Sequence, residues 1–284
     1  MGVIHGNYSF ITTATGRLAC EKPNLQNIPY GVRPVFCSKY GYLLEADYSQ
    51  LELKILAAYS LDKTMVAAFL AGEDIHEQTR QALFGDKPKG DKEAHDQRVV
   101  GKTLNFGIAY LITSVGVSIN LSKELGREVD QRESAGYINT FFNTYPGVKD
   151  YIKNVKKVVL RDEYLSTFFG RRRYFDIYPG MHPNMLERVY REAVNFPVQS
   201  TASDLVLVAT GRIWRRMRDM NMRSRIVAHV HDSILFDIYD KELEPFLKII
   251  KPTMEDIKFD WLNVPLVVDL KLGYNWGELD EIKL

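Results

Sequence analysis

Two aspartates stand where an acid is costly to keep. Asp47 ends the apolar run Tyr42-Leu43-Leu44-Glu45-Ala46, and Asp232 interrupts another between Val230 and Ile234. A carboxylate beside a buried strand loses solvation unless it is paired or bound to metal. Taken singly, each reads as a turn acid capping the element that follows. Taken together they suggest more. If their strands are neighbours, the two carboxylates can converge on one pair of metal ions, the arrangement needed for two-metal phosphoryl transfer.

Arg98, Lys102, Phe106 and Tyr110 recur at every fourth position, on one slowly rotating helix face. Val100, Leu104, Ile108 and Leu111 occupy the other side and can anchor it. Two cations one turn apart suit the phosphates of a nucleoside triphosphate, and the aromatics suit its base or sugar. A solvated cationic turn running into an aromatic core contact fits the pattern equally. Arg191, Asn195 and Gln199 form a third row at the same spacing. Such side chains can hydrogen-bond base edges or sugars in a minor groove, or serve as polar surface. The consecutive Arg171, Arg172 and Arg173, and the arginines from Arg212 to Arg225, read as solvated faces or as nucleic-acid contacts.

These groups need a scaffold that brings distant segments together. The first 36 residues, rich in Thr, Asn, Pro and Gly, read as irregular or short-stranded. Residues 42–47 read as a buried strand, followed by a helix over 49–61 with Leu51, Ile55 and Ala58 on one face. Helical periodicity fills 63–160, broken near Gly85–Gly90 and at Pro146-Gly147. Residues 166–174 suggest a hairpin turning at Gly170, and 185–220 a long helix bent at Pro197. Residues 225–238 alternate around His231-Asp232 as two strands meeting at a tight turn, and 264–270 give a final strand. Strands early and late, with helices between, predict an α+β fold: an antiparallel sheet with packed helices.

Bulk properties narrow the class. The 284 residues are 45% hydrophobic and 26% charged, ordinary for a globular chain with a substantial core. No apolar run approaches the roughly 20 residues of a membrane span. The amino terminus lacks a signal layout, so the expected setting is cytoplasmic or organellar. Two cysteines, Cys20 and Cys37, are too few for a disulfide framework or a closed zinc site. A net charge of +1 argues against a globally basic nucleic-acid coat.

In order, the motifs resemble the A family of DNA polymerases, the group that includes bacterial DNA polymerase I and many phage replicases. The segments are Thr13-Ala14-Thr15-Gly16-Arg17-Leu18, Pro23-Asn24-Leu25-Gln26-Asn27-Ile28-Pro29 and Asp47-Tyr48-Ser49-Gln50-Leu51-Glu52-Leu53. Further on come Arg98-x3-Lys102-x3-Phe106-Gly107-x2-Tyr110, Arg191-x3-Asn195-Phe196-Pro197-x-Gln199 and His231-Asp232.

The resemblance implies a palm formed by 1–62 and 161–284, with an inserted helical fingers subdomain over 63–160. It implies that Asp47, Asp232 and the Tyr48 carbonyl hold two Mg2+ ions, which Mn2+ could replace. Lys102, with Arg98 and His76, would contact the triphosphate, and Lys102 would protonate the leaving pyrophosphate. Gln50, Phe106 and Tyr110 would complete the dNTP site, and Glu52 would exclude a 2′-hydroxyl. Arg17, Asn24, Gln26, Arg191, Asn195, Gln199 and His231 would meet primer–template DNA. Phe106 in place of tyrosine implies poor use of dideoxynucleotides.

Lys54, Leu111, Ser200 and Ser233 depart from the arginine, glycine, glycine and glutamate usual in the family. About a dozen residues precede the first motif, so the thumb and exonuclease domains are expected to be absent. A separate thumb or exonuclease polypeptide, or other replication proteins, would then be partners. A poorly active DNA-binding or assembly subunit, and a single-subunit RNA polymerase, are the competing readings.

Overall fold

A computed structural model describes residues 2–85 and 92–283. In chain order the elements are β1 (Asn7–Ser9), β2 (Ala19–Glu21), β3 (Gly41–Tyr48), α1 (Leu51–Ser60), α2 (Lys63–Leu70) and α3 (Ile75–Phe84). Next come α4 (Lys92–Ala109), α5 (Ser114–Leu125), α6 (Gln131–Thr144), α7 (Pro146–Asp162), β4 (Tyr164–Ser166) and β5 (Arg172–Tyr174). The chain closes with α8 (Pro183–Asp219), β6 (Arg225–Val230), β7 (Ser233–Tyr239), α9 (Leu243–Glu255), β8 (Val268–Gly273) and β9 (Asp280–Ile282). No helix among the described residues is long and apolar enough to cross a membrane.

The chain divides into two compact units. One comprises Met1–Leu51, Gln199–Asp260 and Leu266–Leu284, the other Glu52–Val198 and Trp261–Pro265. Boundaries fall within α1, after Leu51, and within α8, after Val198.

In the first unit five strands pair antiparallel in the order β6-β7-β3-β8-β9. Alternation along β3 buries Leu44, Ala46 and Tyr48 and turns Glu45 and Asp47 to the opposite face. The Leu44 face continues across β7 as Ile234, Phe236 and Ile238. Phe236 meets Phe246 of α9 with ring centroids 5.1 Å apart. Losing a buried ring of that kind costs about 3–5 kcal/mol. On the other face Leu43, Ala228, Val230, Leu235 and Trp276 form a smaller cluster, and the Trp276 indole donates to Glu45 at 3.0 Å.

The second unit is helical. Helix α1 is buried on every side from Leu51 to Ala58, including Glu52 and Lys54. Burial thus extends beyond the expected face of Leu51, Ile55 and Ala58. The Asp62 carboxylate accepts from Met65 N at 2.9 Å and from Gly147 N at 2.8 Å. One side chain thus caps α2 and the first turn of α7. A Cβ on residue 147 would lie 2.8 Å from Asp62 Cα, so glycine permits this approach.

Helix α4 stops at Ala109, one residue short of the expected row. Ile112 N bonds to Gly107 O and Leu111 N to Ile108 O, each at 2.9 Å, and Leu111 has φ 50. This is a Schellman closure, whose left-handed position favours glycine. The break expected near Gly85–Gly90 appears as the end of α3 at Phe84; residues 86–90 lie outside the described residues.

The β4–β5 hairpin turns at Gly170, as expected. Helix α8 runs unbroken through Pro197. The last expected strand is displaced: Pro265 lacks an N–H for a ladder, and β8 begins at Val268. Helix α9 and strand β9 were not expected. Pro245 and Pro252 disguise α9, yet its face of Phe246, Ile250 and Met254 is buried.

Candidate active site

Strand register brings the two aspartates of the first unit together. Asp47 pairs with Ser233 of β7 on one side and Asp269 of β8 on the other. Asp232 occupies the two-residue turn between β6 and β7, where His231 takes φ 54. Its carbonyl accepts from Tyr48 N at 3.4 Å, locking the turn to the end of β3. The Tyr48 hydroxyl points to the core side and donates to Met254 O at 2.8 Å. Ser233 donates its hydroxyl to Val230 O at 3.0 Å and closes the hairpin.

Burial, followed by the negative charges of Asp232 and Glu45, pushes the Asp47 carboxyl up to about 7, against the opposing pull of Lys271. Burial also raises Asp232, while Arg17 and His231 oppose it. Two half-buried carboxylates, both raised by burial and Asp47 further by the charge of Asp232, are a donor set that fits a divalent cation, which would relieve both costs. Among the described residues no three His, Cys, Asp or Glu side chains converge as ligands. A cation here would need the two aspartates supplemented by backbone or substrate oxygens. Glu45 and Asp269 belong to this electrostatic environment and were missed. The period of two from Asp47 signals Glu45, but only the register reveals Asp269.

A cavity of about 280 Å3 in the same unit is lined by Arg17, Asn24, Gln26 and His231, together with Ser203 and His229. Four of the expected DNA-facing residues are thereby gathered. Asn24 also accepts from Gln26 N at 3.0 Å, holding the short turn that presents both. Gln199 is half-buried and lies outside this lining. Gln50 adopts φ 54 just before α1.

In the second unit a cavity of about 570 Å3 is lined by Lys102, Phe106 and Tyr110 with Arg191, Thr113 and Asn120. Arg98 and His76 lie outside this lining. Arg98 is ion-paired with Asp74, whose other oxygen caps α3 through His76 N at 2.9 Å. Tyr110, just beyond α4, donates to Glu52 at 3.3 Å. Asn195 is buried, and its amide nitrogen has no hydrogen-bond partner among the described residues. Burial, reinforced by Arg98 and Lys102 and opposed by Asp74, lowers His76 to about 4, so its imidazole is neutral. Its ring lies 5.3 Å from that of Phe106.

Residues 1–278 match the family described as DNA polymerase family A. The chain belongs to DNA polymerase family A. It is 36% identical to DNA polymerase I of Caldicellulosiruptor bescii, over 98% of this chain and 32% of that protein. With DNA polymerase I of Chloroflexus aurantiacus it shares 35% identity, over 100% of this chain and 30% of the relative. A solved structure described as the POL domain of Pol1 from M. smegmatis, in complex with DNA primer-template and dNTP, matches with TM-score 0.87 and 31% identity. That match covers 96% of this chain and 48% of the other. This family A chain thus spans about a third of the length of the curated relatives it matches. The α+β class read from the sequence is the one found.

Proposed function

We propose that this chain is the catalytic core of a template-directed DNA polymerase, which adds dNTPs to a primer 3′-hydroxyl. One observation carries the reading. Asp47 and Asp232 are drawn together by adjoining strands of one sheet, each raised by burial and Asp47 also by the charge of Asp232, in a chain matched to family A over nearly its whole length. In this reading 1–62 and 161–284 form the palm and 63–160 the fingers.

The reaction forms a bond from the primer 3′-oxygen to the α-phosphorus as the bond to the bridging oxygen breaks and pyrophosphate leaves. Two divalent cations, Mg2+ or in its place Mn2+, held by Asp47, Asp232 and the Tyr48 carbonyl, would favour ionisation of the hydroxyl and neutralise the departing charge. Lys102, exposed on α4, binds the triphosphate and returns a proton to the pyrophosphate. Arg98 exchanges its Asp74 partner for phosphate oxygens. Phe106 and Tyr110 take the nucleoside, with Gln50 nearby in sequence, and Glu52 excludes a 2′-hydroxyl. Arg17, Asn24, Gln26 and His231, with Arg191, Asn195 and Gln199, hold primer–template. Acceptors in its minor groove are alike for all correct pairs, so such contacts test pair geometry without reading sequence.

Primer extension with Mg2+, by the chain alone and with an added thumb or exonuclease polypeptide, tests the proposal. Extension that disappears in Asp232→Ala is expected. Extension undiminished by that substitution, or none under any condition, rules the reading out.

A further inference from the structure

Helices α3 and α4 approach closely because residue 101 is glycine; a Cβ there would lie 2.7 Å from the His76 carbonyl oxygen. One turn further along α4, the fully buried Asn105 reaches across this contact. Its Nδ2 lies 3.3 Å from Ile75 O and 2.9 Å from His76 Nδ1. Its Oδ1 lies 3.0 Å from the Thr79 hydroxyl, which itself stands 3.0 Å from the Tyr145 hydroxyl.

Hydrogen-bond logic then fixes the orientation of the Asn105 amide. The Ile75 carbonyl can only accept, so the NH2 side of the Asn105 amide must face it. One amide proton goes to Ile75 O, and the second points at His76 Nδ1. That nitrogen must therefore offer a lone pair, and the ring proton resides on Nε2. Protonating Nδ1 would set two donors against each other in a buried site.

We propose that Asn105 is a positioning residue that holds His76 as its neutral Nε2–H tautomer, so that the imidazole offers the triphosphate one hydrogen-bond donor and no charge. The proposal rests on the polymerase reading for the identity of the ligand. The charged groups facing this imidazole are Asp74, Arg98 and Lys102; burial, opposed by Asp74 and aided by the two cations, keeps it neutral. Charge neutralisation is thereby left to the flexible cations, and His76 supplies direction. A neutral donor also releases pyrophosphate more readily than a third fixed positive charge would.

Histidine-selective 15N NMR of the full chain tests this without requiring catalysis. At pH 7 the His76 Nδ1 signal should be of the unprotonated type and the Nε2 signal of the protonated type. Added dATP should move the Nε2–H signal, whereas deoxyadenosine should not. In Asn105→Asp the carboxylate accepts instead of donating, so the proton should transfer to Nδ1 and the ring should titrate at higher pH. At pH 9, where that variant's ring is neutral, its Nε2 lone pair faces the phosphates, and dATP should bind about tenfold more weakly, the worth of one hydrogen bond. A wild-type His76 that is protonated at Nδ1, or an Nε2–H signal unmoved by dATP, overturns the proposal. Both wild-type readouts stand if the variant fails to fold. Failure of the polymerase reading shows separately, in primer extension.

Discussion

The Tyr110 hydroxyl donates to the Glu52 carboxylate at 3.3 Å, joining the residue just past α4 to the first turn of α1. Glu52 is nearly buried, and this bond helps to orient its carboxyl group. Glu52→Ala should relax discrimination against rNTPs by roughly 10- to 100-fold, and Tyr110→Phe by a smaller factor. Single-nucleotide insertion rates with matched dNTP and rNTP check both. Unchanged ratios in Glu52→Ala would remove the residue from sugar selection.

Metal-free stability should fall as pH rises from 5 to 8. The folded Asp47 carboxyl, held at about 7, keeps its proton where the unfolded chain has lost it. The native state therefore binds more protons across this window, and raising pH favours unfolding. The loss is on the order of 3 kcal/mol. Thermal melts in EDTA should show this slope, and Mg2+ at about 100 times its dissociation constant should return roughly 2.7 kcal/mol. Asp47→Asn should flatten the slope and abolish the Mg2+ response.

Acid should act through His229. Burial lowers its imidazole to about 4, while its Nε2 lies 2.7 Å from the Thr210 hydroxyl. The unfolded chain takes up the proton first, so stability present above the ordinary histidine range is lost as pH falls toward 4. The contribution is on the order of 3 kcal/mol. Urea melts of His229→Gln should show a shallower decline than wild type between pH 6.5 and 4, with His76 and the paired carboxylates Glu133 and Glu242 contributing to what remains.

Asp62→Ala should cost about 2–4 kcal/mol, because it strips caps from two helices at once and leaves the buried Met65 N–H and the half-buried Gly147 N–H without that acceptor. Asp62→Asn should cost less, since one amide oxygen can still accept. Chemical denaturation midpoints separate the two. Equal losses would mean that charge, and not hydrogen bonding, is what the site requires.

How far the sequence could be read depended on whether a signal was local. The strand before Asp47 and the hairpin at His231-Asp232 were legible because alternation and turn chemistry act over a few residues. Asp269 was not, since only pairing between distant strands sets it beside Asp47. Helix α9 was hidden by its prolines, whose penalty is outweighed by burial of Phe246, Ile250 and Met254. The row from Arg98 to Tyr110 was read as one continuous helix face, but the Leu111 closure ends α4 before Tyr110 and turns that ring toward Glu52. Asn105 gave no signal at all. An asparagine within a helix acquires meaning only from the carbonyl and imidazole placed opposite it.

The turn carrying Asp232 has no slack. Val230 and Ser233 already pair across it, and Ser233 pairs with Asp47. One inserted residue would slip β7 by a place and send each of its side chains to the wrong face. Between β5 and α8, by contrast, Pro179, Gly180 and His182 are exposed, and added length there disturbs no ladder. A library of random insertions should therefore survive around 179–182 and go blank at 231–233. In this molecule intolerance of length, more than intolerance of substitution, marks where the chemistry is anchored.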